Sequence, residues 1–274
     1  MLLLSAPFDV AAAAPPRPMA RAVFQVGAVV GLLVAAGLCI DWFSPGLGGV
    51  GYAIAGATIH GGLIGLGWLI VTGASARWVG PISRIGGALL VASVAARLGP
   101  WGSLAFVLPP AVLIREAVRR PDMRAIGLRG ARVSHALAGL VAGVFLGAHL
   151  LMTAGLTFGY HVQAGGLRAY LGAVAYDIGA NLLSAEWVFR GALFSLLWRR
   201  IAFWPAAALT TALALVRYLL DPALPHSADA RAGAVFYLGL LGLTACALRA
   251  WSGSLLPGYL AALGFFAAYR ILAP

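Results

Sequence analysis

The chain contains no lysine, and only eight of its 274 residues are acidic. Charged residues make up 10%, against 62% hydrophobic, and mean hydropathy is +0.93. That leaves too little polar surface to cover a water-soluble globule. The net charge of +11 is carried by arginine alone. Most arginines fall in short connections between apolar runs, which is the pattern of membrane orientation rather than a phosphate-tracking surface, so nucleic acid is excluded as a partner. Two cysteines, Cys39 and Cys246, stand in separate apolar runs. They read as small buried hydrophobes, with no disulfide framework or metal knuckle. HExxH, CxxC and a Walker-type glycine loop are all absent, and no metal site is expected.

What is present is a series of apolar runs near the length that crosses a bilayer as a helix. Residues 1–21 are broken by proline and read as a cytoplasmic tail. Residues 22–274 read as a single transmembrane domain. Spans are expected at about 22–43, 50–72, 82–98, 104–114, 134–157, 169–197, 203–220, 232–248 and 254–272. Pro109-Pro110 predicts a kink or break in the fourth. The fold class is all-α, a polytopic bundle of about eight or nine spans. The connection 115–132 carries six arginines. Together with the arginine-poor opposite side, it orients the N-terminus inside and the C-terminus outside, in a bacterial inner membrane.

Charges within a span are costly and usually face a bundle interior or a water-filled cavity. In "SAEWVFRGALFSLLWRR", Ser184–Arg200, an apolar run holds Glu186 and Arg190 four residues apart. On an α-helix that spacing puts both on one face, where they can pair. Arg217 and Asp221 repeat the spacing in the next span, and the four groups sum to zero, as a buried charge network should. Asp177, Asn181 and Ala185 form another stripe. At ~100° per residue Asp177 faces about 180° away from Glu186, which makes the two carboxylates a poor acid–base couple. His60 lies mid-span. His135 and His149 are fourteen positions apart on one helix, a spacing that two-haem membrane cytochromes use, but the second matching histidine pair is missing. The three histidines are candidate ligands for haem or a chlorophyll-type pigment. The alternative is hydrogen-bonded packing, and no cofactor is expected on balance. His161 and His226 read as solvated loop residues.

"AEWVFRGALFSLLWRR" resembles the first motif, EExxxR on a membrane helix with a basic end, of the CAAX-protease and bacteriocin-processing family (CPBP, or Abi) of intramembrane proteases. Upstream, "MRAIGLRGAR" resembles that family's basic Gly-Leu segment. Downstream, "RAWSGSLLPGYLAALGFF" resembles the approach to its last motif, HxxxN/D. The resemblance covers about residues 120–272 and implies a CPBP-like core in the C-terminal half. It also implies a water activated by the first motif glutamate and the motif histidines, directly or through a metal. Here Glu186 and Arg190 keep the first motif, but Ala185 replaces its first glutamate. Arg217 stands where FxxxH requires histidine, and Ala261 and Phe265 occupy HxxxN. Arginine serves neither as a general base near neutral pH nor as a metal ligand.

The first functional reading is a catalytically degenerate member, a pseudoenzyme acting as a scaffold or partner-binding subunit of a membrane complex. Its expected partners are other integral membrane proteins and lipids. The second is an active intramembrane endopeptidase with a rearranged site, using Glu186 with Asp177 or His149. The third is a haem- or pigment-binding subunit.

Overall fold

The computed structural model describes residues 19–44, 49–72, 79–99, 101–119, 126–162, 166–220 and 227–273. The fold is all-α, as the apolar periodicity predicts. Among the described residues, five helices are long and apolar enough to cross a membrane, and two shorter ones are strongly apolar. The chain divides into two compact units.

The first unit comprises Ala12–Met123 and Gly166–Val188. It contains α1 (Met19–Phe43), α2 (Val50–Thr72) and α3 (Val79–Leu98), then a 3-10 turn Gly102–Val107 and α4 (Leu108–Val118). α1 and α2 meet at Gly37 and Gly51, where a Cβ on Gly37 would stand 2.6 Å from the Gly51 carbonyl oxygen. Asp41, near the end of α1, accepts from the backbone N–H of Gly51 (3.1 Å) and Tyr52 (2.5 Å). It thus caps the exposed donors of α2 from a neighbouring helix. Pro109-Pro110 does not kink a continuous arm. The prolines sit in the first turn of α4, where a missing N–H costs nothing, and the preceding residues turn as a 3-10 helix.

The second unit comprises Arg124–Gly165 and Phe189–Pro274. Its helices are α5 (Val133–Phe158), α8 (Phe194–Trp198), α9 (Phe203–Leu219), α10 (Ala228–Ser252) and α11 (Leu256–Tyr269). α6 (Leu167–Tyr176) and α7 (Leu182–Ala185) belong to the first unit. Two ends are set by glycine in the left-handed region: Gly159 (φ 69°) closes α5 and Gly253 (φ 70°) closes α10. Ser227 caps α10, accepting from the Ala230 N–H at 3.2 Å. α5 and α11 are in backbone contact. A Cβ on Gly139 or Gly143 would collide with the carbonyl oxygen of Pro257 or Ala261, and one on Gly147 would reach the Ala268 methyl at 2.7 Å. This small-xxx-small ridge is the usual device for close approach where lipid removes the hydrophobic drive between helices. Phe194, Phe203, Ala206, Ala207, Cys246 and Ala250 form a separate buried core. Beyond the helices, two-residue strands β1 (His161–Val162) and β2 (Leu272–Ala273) pair antiparallel. His161, expected in a solvated loop, is exposed on β1. Of the cysteines, Cys246 is buried as expected, whereas Cys39 is exposed on α1.

Candidate functional site

The segment that carries the first motif is not one regular α-helix. It runs as α6 (Leu167–Tyr176), a π-helical turn Asp177–Asn181, α7 (Leu182–Ala185), a second π-helical stretch Glu186–Leu193, and α8. Single π turns are rare and concentrate at functional positions. They rotate less per residue than an α-helix, so the 180° separation expected between Asp177 and Glu186 does not apply to this backbone. The i, i+4 alignment expected of Glu186 with Arg190 presupposes α turns in the same way.

In the first unit a polar network grips the first π turn. His60 on α2 places Nδ1 2.9 Å from Ser184 Oγ and Nε2 2.8 Å from Tyr176 Oη. Ser184 Oγ donates to the Asn181 carbonyl at 3.1 Å. The serine has one proton, so it must accept from His60 Nδ1–H, and His60 Nε2 then accepts from the Tyr176 hydroxyl. The three donors run in one direction: tyrosine, histidine, serine, backbone carbonyl. Asn181 Nδ2 also donates to Asp177 Oδ1 at 2.9 Å, across the buried turn. One turn further along α2, the Ile64 carbonyl accepts from Trp187 Nε1 at 2.9 Å, and Gly67 admits that indole, since a Cβ there would lie 2.5 Å from Nε1. On the opposite side, Gly179 lets the π turn touch the Phe106 carbonyl of the 3-10 segment. Glu186 is buried at the start of the second π stretch, directly before Trp187, and Ala185 is buried at 1% exposure. Ala185 is thus buried in packing beside Glu186.

In the second unit Arg190 is buried against α10 and α9. A Cβ on Gly242 would lie 2.7 Å from Arg190 Nη2 and 2.9 Å from Thr211 Oγ1, so the missing side chain makes room for the guanidinium. Arg217 is half-buried, with its guanidinium carbon 4.7 Å from the Tyr218 ring centre. Asp221 and His226 lie outside the described residues. Ala261 is fully buried (0% exposed), with its carbonyl against Gly143. Phe265, also buried, stacks on Tyr237 with ring centres 6.1 Å apart. The Tyr237 hydroxyl lies 2.8 Å from His149 Nδ1. The last-motif position and His149 thus belong to one cluster, Phe265–Tyr237–His149. His135, at the other end of α5, packs its ring 4.2 Å from that of Trp251. All three candidate histidines are engaged by protein side chains, and for His60 this includes both ring nitrogens.

Three features escaped the sequence reading. The His60 network joins residues 116 and 124 positions apart. Arg84 and Glu116 form a two-pronged ion pair, Nε to Oε1 and Nη2 to Oε2, both at 2.9 Å. The arginine hydrogen bond holds the Glu116 carboxyl below its ordinary pKa. Arg249, one residue beyond the expected span 232–248, is buried. The chain's only two glutamates, Glu116 and Glu186, are both buried, and that scarcity was the available signal. Among the described residues, no three His, Cys, Asp or Glu side chains converge as a metal site would require.

Comparison with known families agrees with the motif reading. The model of the type II CAAX prenyl endopeptidase Rce1-like family matches residues 169–265. The match spans α6 to Phe265 in α11 and so takes in every motif position named above, while the basic Gly-Leu segment lies upstream of it. No curated protein and no solved structure matches the chain.

Proposed function

We propose that this Rce1-like helical membrane protein has given up peptide hydrolysis and serves as a scaffold or partner-binding subunit of a membrane complex, with its N-terminus inside and its C-terminus outside a bacterial inner membrane. The carrying observation is the fate of Ala261. The position where the family places a motif histidine is fully buried, with its carbonyl against Gly143 in the tightest part of the α5–α11 crossing. Ala185 is buried as well, and Arg217 offers neither a base nor a metal ligand. What persists of the motif is the buried charge of Glu186 and Arg190. Such groups are retained because removing one partner of a buried charge set strands the remainder, at about 3–5 kcal/mol.

Purification in mild detergent from the native membrane, with mass spectrometry of what accompanies the chain, tests this reading. A stoichiometric membrane partner, lost in Glu186→Gln, supports it. Cleavage of a prenylated peptide that disappears in Glu186→Gln while assembly is unchanged overturns it. One observation favours the second reading, an endopeptidase with a rearranged site: the π turns remove the geometric objection to Asp177 acting with Glu186. In that case Asp177→Asn abolishes the same cleavage.

A further inference from the structure

His149 stands sixteen residues into α5 and nine before its end, about 24 Å and about 13 Å along the axis. A helix of that length and hydropathy crosses a bilayer, which puts His149 inside the hydrocarbon, out of reach of water and lipid headgroups. Its side chain is nevertheless exposed, on a face shared with Phe145, Met152 and Leu156. Ionisable side chains within spans almost always turn into a bundle interior. His149 turns out of this chain's own bundle, so the interior it belongs to is completed from outside.

The imidazole is held at one nitrogen. Nδ1 lies 2.8 Å from Tyr237 Oη and 3.3 Å from Thr153 Oγ1, and Nε2 has no hydrogen-bond partner among the described residues. In hydrocarbon an unpaired polar nitrogen is costly. Tyr237 Oη also reaches the His149 carbonyl oxygen, at 3.4 Å, so its proton has two acceptors. When Oη donates to Nδ1, the histidine proton stands on Nε2 as an outward donor. When Oη donates to the carbonyl, it accepts from Nδ1–H, and Nε2 turns a lone pair outward. One tyrosine satisfies both tautomers. A group that serves equally as donor and acceptor is complementary to itself. Two copies related by a two-fold axis along the membrane normal bring identical residues to identical depth. The two His149 rings then meet, one Nε2–H donating to the other Nε2, each in a tautomer that its own Tyr237 accepts. Phe145, Met152 and Leu156, at i−4, i+3 and i+7, supply the apolar contact around them.

We propose that the chain forms a parallel homodimer across α5, joined within the membrane by a hydrogen bond between the two His149 side chains. The pairing is independent of the fate of the motif. Cys39 is exposed and Cys246 buried, so a thiol-reactive dye labels each chain once, on α1. Labelled chains in phosphatidylcholine vesicles are counted by single-molecule photobleaching as lipid dilutes the protein. Two-step spots are expected at high density, giving way to single steps on dilution. His149→Leu should need a density about threefold higher, or more, for the same dimer fraction. His149→Asn, whose carboxamide also donates and accepts, should stay close to wild type. Phe24→Ala, at an exposed position on α1, should change nothing. Should His149→Leu fail to fold, Met152→Trp decides in its place: it sets a bulky ring on the same exposed face and should weaken the dimer. Single steps at every density overturn the proposal, and so does a dimer that dilutes equally in wild type and His149→Leu. A visible absorbance band of the purified chain that His149→Leu removes would assign Nε2 to a cofactor and overturn it as well.

Discussion

The two units solve the same problem by different chemistry. Each brings helices closer than ordinary side chains allow, and each uses glycine to do it. In the second unit the glycines of α5 form a regular ridge, Gly139, Gly143 and Gly147, against the backbone of α11. The contact is backbone-to-backbone, with the Pro257 and Ala261 carbonyls facing Gly139 and Gly143. In the first unit Gly37 and Gly51 make one backbone-to-backbone contact of the same kind, while Gly67 and Gly179 admit the Trp187 indole and the Phe106 carbonyl. Around them runs the directional network from Tyr176 through His60 and Ser184 to Asn181. A regular ridge tolerates regular helices. Two π turns need side chains to satisfy or orient groups that the i→i+4 ladder no longer organises. The first unit therefore holds the first π turn with Ala185 and Glu186, while Arg190 belongs to the second, whose regular crossing buries Ala261 and Phe265.

That contrast breaks most sharply at Gly143. Gly143→Leu sets a branched side chain into the Ala261 carbonyl, and the backbone there has no rotamer with which to yield. A loss of about 3 kcal/mol or more is expected, read as a lowered unfolding temperature in detergent. A variant as stable as wild type would mean that the two helices are not in backbone contact. His60→Leu tests the other side. It leaves the buried Ser184 hydroxyl and the half-buried Tyr176 hydroxyl without their histidine, at about 1–3 kcal/mol. The triple change His60→Leu, Tyr176→Phe, Ser184→Ala removes every side-chain member of the relay and should recover much of that loss, because an apolar core costs less than a half-satisfied network. If the triple variant is less stable than the single, the network is a source of stability and not only of geometry.

The sequence made the helical elements legible because hydropathy is a property of single residues summed along the chain. The expected span 50–72 coincides with α2, and 134–157 lies within α5. The site was legible only as composition. Glu186 and Arg190 are charges in an apolar run, but the facing their spacing predicts holds only for a uniform α-helix. The first π turn is contacted by the 3-10 segment at Phe106, more than seventy positions away, and its neighbours Tyr176 and Ser184 by His60 of α2. No local pattern encodes those contacts. Pro109-Pro110 shows a similar limit: proline disfavours a helix interior but suits a first turn, and only the neighbouring backbone decides which one it meets. His149 and Phe265 belong to one cluster because Tyr237 lies between them, a residue with no distinguishing mark in the sequence.

The smallest expected effect concerns Arg84 and Glu116, a charged contact in the first unit that owes nothing to the motif helix. The carboxylate is buried, while the arginine side chain is 56% exposed, so solvent screens much of the attraction. Glu116 titrates below its ordinary value of 4.5 because the Arg84 hydrogen bond favours its charged form. A carboxyl with a depressed folded pKa adds stability above its unfolded pKa and loses it as pH falls through the folded one. The wild type should therefore lose a small increment of stability as pH drops below 4.5, whereas Glu116→Gln, already without it at neutral pH, should show a flatter profile across the same range. Unfolding temperatures from pH 7 down to 3 measure the difference. Parallel profiles would show that the ion pair contributes geometry alone, and that the buried polar stabilisation of this unit resides in the His60 network.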